Sequence, residues 1–391
     1  MNRTPRCPIA RSCGGCAWLD VPYAEQLARK TAEMRSLFSD VAPGTVEDIV
    51  GMERPVAYRH KAATPFAPGK GGRVLSGFYA RGTHRIVACP ACPIEAEGAR
   101  DILNGVARIA QDLRISAYRE DAGRGLLRHA IVRMGWRTNE AMLTLVANND
   151  VLPREKELAR AIHKLDRRIV ATALNVNQRS TNAMLGRETR ILAGRPRMTD
   201  KLLGCTFEIS PTAFYQTNPE QTEVLYRLAI EGAALEGGDR VLDAYCGSGT
   251  IGLCAADEAR TAGVDVEVVG VEKVAAAVTD AKRNARINKL ERRARFVAAD
   301  ATTYMRDAAA AGERFDVVIM DPPRAGATER FLESAAALEP RRMVYVSCNP
   351  KTQERDLAFL GRFGYRAVRI TPVDMFPHTP HTETVAVVER G

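Results

Sequence analysis

The residues best suited to chemistry are two that stand 35 positions apart: Cys348, in Ser347-Cys348-Asn349-Pro350, and Glu383, which ends Asp374-Met375-Phe376-Pro377-His378-Thr379-Pro380-His381-Thr382-Glu383. Most buried cysteines are inert filler. Cys348 differs in position, because it leaves an apolar strand-like run and stands just ahead of a helical pattern, where the amino-terminal dipole would favour a thiolate. A charged residue at a strand start is usually only solvated. Glu383 closes a polar turn, however, and a carboxylate there suits a base, with His378 and His381 as other candidates for the same proton.

A third segment holds a small molecule. Val241-Leu242-Asp243-Ala244-Tyr245-Cys246-Gly247-Ser248-Gly249-Thr250-Ile251-Gly252 ends a strand, opens a helix and contains G-x-G-x-x-G, and Glu272 follows at the end of the next expected strand. Taken alone this fits a dinucleotide fingerprint. A dinucleotide loop normally follows its strand directly, so that the pyrophosphate meets the helix amino terminus. Here Asp243 to Cys246 intervene, which suits a sulfonium ligand without phosphates and points to S-adenosylmethionine. Asp321-Pro322-Pro323-Arg324 ends another expected strand, its prolines stiffening the backbone beside a carboxylate. Asp300 ends a third, where it either reaches an adenine amine or caps the helix that follows.

A nucleophilic cysteine and a base at one methyl-donor site suggest a definite reaction. Carbon 5 of uracil is a poor nucleophile, so a thiolate must first add to carbon 6 and a base must later remove the carbon-5 hydrogen. Enzymes that treat cytosine in RNA this way carry a cysteine right after a D-x-P motif. Arg324 occupies that place, which favours uracil.

These residues need a frame that brings strand ends together. After Gly204, strands alternate with helices, with candidate strands at 240–244, 266–271, 294–298, 316–320, 343–347, 365–370 and 384–389. That is the pattern of βαβ units in a Rossmann-like class I methyltransferase domain, a seven-stranded mixed sheet with ligands at the strands' carboxyl ends. Between about 56 and 198 the strands are short and separated by glycines and charged turns, which predicts an α+β domain with an antiparallel sheet. The expected division is 1–195 and 196–391.

The sequence has 391 residues, 46% of them hydrophobic, enough for two ordinary cores, and a net charge of +9. Residues 1–200 hold 32 basic and 20 acidic side chains, and residues 201–391 hold 24 and 27. One half is thus suited to grip a polyanion and the other to chemistry. No run of about 18 apolar residues could span a bilayer, and nine cysteines suit a reducing compartment better than a disulfide framework, so a cytoplasmic monomer with RNA as partner is expected. A dinucleotide-dependent oxidoreductase is the competing class, and an RNA-binding module with a degenerate methyltransferase fold is the third.

With Cys348, Glu383 and D-P-P-R in place, the chain resembles the RNA uracil-C5 methyltransferases. The likeness also covers Tyr58-Arg59-His60-Lys61, Gly125-Leu126-Leu127-Arg128-His129 and Gln216-Thr217-Asn218-Pro219, and departs at His60 and Thr250, where the family usually or often has Asn. It implies Gln216, Tyr245, Glu272 and Asp321 at the cofactor site, Cys348 as nucleophile and Glu383 as base. The family's rRNA members bind a [4Fe–4S] cluster through a cysteine triplet and a distant cysteine before Pro-Ile or Pro-Leu. Cys7, Cys13, Cys16 and Cys92 match that pattern, although Cys13, Cys16, Cys89 and Cys92 would also satisfy tetrahedral zinc. By the same resemblance a tRNA enzyme of the family lacks these cysteines, although cluster-bearing relatives acting on tRNA exist, and the six residues ahead of Cys7 leave no room for the extra RNA-binding barrel of some rRNA members. A hairpin-loop uridine of 23S rRNA is therefore the expected target, with a tRNA uridine as alternative.

Overall fold

The computed structural model describes residues 5–179 and 183–391. Along the chain, α1 (Ala10–Cys13) and α2 (Tyr23–Leu37) precede β1 (Lys61–Pro68), β2 (Val74–Tyr79), β3 (Ile86–Ala88) and α3 (Ala99–Asp112). Then follow β4 (Leu127–Met134), β5 (Ala141–Ala147), α4 (Glu155–Leu165), β6 (Ile169–Val176), β7 (Glu188–Gly194), β8 (Met198–Leu202) and β9 (Cys205–Ile209). The remainder alternates: α5 (Pro219–Ala233), β10 (Arg240–Ala244), α6 (Thr250–Thr261), β11 (Glu267–Glu272), α7 (Ala275–Ile287), β12 (Ala294–Ala298), α8 (Ala301–Ala310) and β13 (Val317–Met320). It ends with α9 (Glu329–Ala337), β14 (Arg342–Ser347), α10 (Pro350–Leu360), β15 (Tyr365–Val373) and β16 (Glu383–Arg390).

The chain forms two compact units. The first takes residues 1–20, 54–201 and 208–219, and the second 21–53, 202–207 and 220–391. The expected division at 195 and 196 is therefore corrected in one respect: α2 and the segment after it belong with the carboxyl-terminal half. The reason is burial, since Met34, Phe38 and Ala42 join the apolar core of the second unit around Phe331, Met343 and Tyr345. Redrawn this way, the first unit holds 30 basic and 15 acidic side chains and the second 26 and 32, so the charge contrast is steeper than the simple halving gave.

In the first unit the sheet order is β3-β2-β1-β4-β5-β6-β7, antiparallel except for the β5–β6 pair that α4 connects. Its core is formed by the inward faces of β4 and β5 and by α3. In the second unit the order is β12-β11-β10-β13-β14-β16-β15, parallel as far as β14 and antiparallel for the last two strands. This is the mixed α/β seven-stranded sheet of S-adenosylmethionine-dependent methyltransferases. Its central strands are apolar on both faces, as parallel strands covered by helices must be. The exposed side of β15 is covered by residues 46–50, which bridge to Ile370 and Val373 and so occupy the free edge.

Candidate active site

Strand register does the assembling. In the second unit, parallel pairing sets Ala244 beside both Val271 and Met320, so the residues that follow, Tyr245, Glu272 and Asp321, leave the sheet together. The antiparallel pairing of β14 and β16 ends at Ser347 opposite Thr384. Cys348 and Glu383 are the next residues along, near enough for the Glu383 carboxyl to raise the Cys348 thiol. Tyr245, Glu272, Asp300, Asp321, Cys348 and Glu383 thus all stand at the same sheet edge.

The glycine loop is built around a strained tyrosine. Tyr245 has φ of 63°, a left-handed conformation that costs a non-glycine residue free energy and recurs at ligand sites. Its ring stacks on Phe331, with centroids 4.9 Å apart. The Gly252 amide donates to Asp243 Oδ2 at 3.0 Å, and a Cβ on Gly252 would come within 2.7 Å of that oxygen. Glu272 closes the loop from the neighbouring strand, accepting from the amides of Gly247 at 3.3 Å and Val274 at 2.7 Å. Thr250, a departure from the family pattern, hydrogen bonds through its hydroxyl to the Tyr226 hydroxyl at 2.8 Å. Asp300 caps α8 by accepting from the Thr303 amide at 3.1 Å, the capping role that the sequence left open beside adenine binding.

Cys348 is exposed and sits in a turn held by short polar links. Ser347 Oγ accepts from the Asn349 amide at 3.1 Å, and Asn349 Nδ2 donates to the Arg324 carbonyl at 2.9 Å, tying this turn to D-P-P-R. The expectation that a helix amino terminus lowers the thiol's pKa is corrected here. Partial desolvation of the thiol raises it, although the residue is exposed, and the carboxyls of Glu383 and Asp321 push the same way. Glu383 is 5% exposed, and burial followed by the nearby Asp321 raises its carboxyl to about 8. Burial likewise raises Asp321 and Asp243 to about 7. Three carboxyls that ionise near neutrality thus cluster at one sheet edge, an arrangement typical of functional sites.

The other proton and thiol candidates fare differently. His378 is buried, and its Nδ1 accepts from Gln26 Nε2 at 3.2 Å, so that ring nitrogen is committed to helix α2. His381 is exposed and its pKa is lowered, first by burial and then by Arg324 and Lys30. Cys246 is buried, and burial, Asp243 and Glu272 drive its thiol far above the ordinary range, which makes it a poor nucleophile. Gln216 belongs to the first unit, so it is not among the residues that the second unit gathers.

In the first unit, Cys7, Cys13, Cys16, Cys89 and Cys92 line one cavity of about 510 Å³. Burial raises Cys16 to about 12, with Cys92, Cys13 and Cys7 contributing in that order, so these four thiols feel one another. Among the described residues no three metal-binding side chains are grouped at ligand spacing, so the structure does not itself show the expected [4Fe–4S] site on Cys7, Cys13, Cys16 and Cys92. Donor chemistry and convergence on one cavity fit a thiolate-bound group; preassembly does not. His60, the other departure, donates from Nδ1 to the Met134 carbonyl at 3.0 Å, while its amide donates to the Thr217 carbonyl at 2.8 Å.

Fold and sheet edge together define a class I methyltransferase. A family model described as tRNA (uracil-5-)-methyltransferase matches residues 125–391. The chain is 40% identical, over 98% of its length and 82% of the relative's, to a protein of Halalkalibacterium halodurans described as an uncharacterized RNA methyltransferase. It is 39% identical, over 98% of its length and 83% of the relative's, to one of Staphylococcus aureus with the same description. Among solved structures, the Pyrococcus abyssi tRNA (uracil-54, C5)-methyltransferase in complex with S-adenosyl-L-homocysteine is similar with a TM-score of 0.77 and 28% identity, covering 96% of this chain and 85% of that one. The chain belongs to the tRNA (uracil-5-)-methyltransferase family, and it is an S-adenosylmethionine-dependent RNA methyltransferase.

Proposed function

We propose that this enzyme methylates carbon 5 of a uridine in structured RNA, with Cys348 as nucleophile and Glu383 as base. The observation that supports the reading is the β14–β16 register, which ends just before Cys348 and Glu383 at the edge that holds the glycine loop, where the Glu383 carboxyl influences the Cys348 thiol. Cys348 Sγ forms a bond to carbon 6, and the electron pair of the C5=C6 bond moves toward the carbon-4 oxygen. S-adenosylmethionine, when bound, supplies the methyl group that carbon 5 then takes. Glu383 removes the carbon-5 proton, the C5=C6 bond re-forms and the Cys348 thiolate is expelled. Tyr245, Glu272 and Asp321 form the cofactor site, Asp300 borders it while capping α8, and Gln216 is assigned to cofactor binding by the family resemblance alone. Because the target base must reach this edge, it leaves its stack.

The substrate of first choice is a hairpin loop of 23S rRNA, supported by the five cysteines around one cavity of the first unit and by that unit's excess of basic side chains. Likeness to a tRNA uracil-C5 enzyme favours a second reading, a tRNA uridine. Cys7, Cys13, Cys16 and Cys92 would hold a [4Fe–4S] cluster in a structural or RNA-positioning role, since the reaction moves no electrons. No helix among the described residues is long and apolar enough to cross a membrane, and we place the enzyme in the cytoplasm as a monomer.

Denaturing electrophoresis with RNA tests the two roles. Glu383→Gln attacks and methylates, then stalls as a protein–RNA adduct, whereas Cys348→Ala forms none. A freely turning-over Glu383→Gln variant, or an adduct from Cys348→Ala, would overturn the assignment.

A further inference from the structure

Residues 374–382 form a nine-residue loop between β15 and β16, strands whose pairing ends at Val373 opposite Glu383. The loop leads directly into Glu383, so its conformation bears on how the carboxyl is presented at the sheet edge. Helix α2, from the opposite end of the chain, holds this loop with three side chains. Lys30 and Asp374 are both completely buried, and Lys30 Nζ donates to Asp374 Oδ1 at 2.6 Å at the loop's first residue. The same ammonium donates to the His381 carbonyl at 2.8 Å, two residues before Glu383. One cation thus spans both mouths of the loop. Tyr23 Oη donates to the second Asp374 oxygen at 2.8 Å and accepts from the Met52 amide at 2.9 Å. Gln26, also buried, accepts from the His378 amide at 2.9 Å and donates to the His378 ring at 3.2 Å. This fixes the loop's interior where His378 adopts a left-handed φ of 66°.

Taking a lysine and an aspartate wholly out of water is costly, and a packed apolar pair serves stability as well or better. A buried ion pair at this place calls for another benefit, and the geometry supplies one. We infer that Lys30, with Tyr23 and Gln26, is a positioning residue for the proton-abstraction step, because it fixes the loop that delivers Glu383. The inference rests on the reading of Glu383 as base. In this role none of the three side chains is given a part in thiolate addition or methyl transfer.

The test uses the full-length enzyme and an unmodified 23S rRNA transcript carrying deuterium at uridine carbon 5, or a tRNA transcript if that is what the wild type methylates. The variants are Lys30→Gln, Lys30→Arg and Tyr23→Phe, with Glu383→Gln as control. Lys30→Gln is expected to lower turnover tenfold or more, to make the carbon-5 deuterium isotope effect visible on kcat, and to accumulate the methylated adduct, with partial rescue in Lys30→Arg. Tyr23→Phe removes only the Oη contacts, and it carries the test with a smaller shift in the same direction if Lys30→Gln fails to fold. A purely structural role would reduce the amount of active enzyme without changing isotope effect or adduct fraction, and that result overturns the inference. If Glu383→Gln stalls as adduct while neither α2 variant does, the positioning role alone is wrong. If Glu383→Gln turns over freely, the base assignment falls, and the inference with it.

Discussion

Replacing Glu383 by Gln should leave a signature in stability that does not depend on any RNA substrate. The carboxyl is 5% exposed and its pKa is raised from 4.5 to about 8, mainly by burial. The folded value lies above the unfolded one, so folding favours the neutral acid. That contribution is complete below about pH 4.5 and is lost as the pH rises toward about 8. At 1.36 kcal/mol per pH unit, the interval corresponds to a ceiling of about 5 kcal/mol. Interiors respond as a medium of much higher dielectric than dry protein, and Asp321 titrates alongside, so about 2 kcal/mol is the working figure. Gln has the same shape and no charge to desolvate. Any loss from its amide is independent of pH, and the comparison between two pH values isolates the titration. For a unit of this size, about 2 kcal/mol moves the melting midpoint by roughly 4–8 °C. Thermal melts of cofactor-free wild type and Glu383→Gln at pH 5 and pH 8.5 should therefore give a difference that shifts in favour of the variant by that amount at the higher pH. An equal difference at both pH values would refute the reasoning.

Three further outcomes are expected. Turnover of the wild type should rise with pH through about 8, because both Glu383 and Cys348 must ionise and both are held above their ordinary values; a rate that falls between pH 6 and 8 would contradict this. RNA binding should weaken steeply with salt as counterions are released, since the first unit holds twice as many basic as acidic side chains, and filter binding at 50 and 200 mM salt measures the slope. Anaerobically purified protein should carry about four irons per chain, lost on Cys13→Ser and kept on Cys89→Ser, whose thiol donates to the Ala91 carbonyl at 3.3 Å; stoichiometric zinc would refute the cluster.

How much of this was legible beforehand follows from which interactions are local. The seven strands of the second unit could be read closely, because parallel strands are continuous apolar runs set off by helices, and the residues at their carboxyl ends follow from topology. Tyr245, Glu272, Asp321, Cys348 and Glu383 were identifiable as candidates for that reason, with the family resemblance supplying their roles. What could not be read was anything depending on pairing across great sequence distance. In sequence α2 is only a helical pattern, and nothing in Tyr23, Gln26 or Lys30 announces that they meet residues about 350 positions away. Assigning residues 21–53 to the first domain followed from proximity in sequence, whereas burial of Met34 and Phe38 decides their place. The thiol of Cys348 shows the same limit in electrostatics. A helix amino terminus is visible in sequence, while the desolvation and the two carboxyls that outweigh it exist only once β13, β14 and β16 are aligned. The same carboxyls tie nucleophile to base: a charged Glu383 or Asp321 disfavours the Cys348 thiolate, so the three groups titrate as one coupled set rather than as three independent residues.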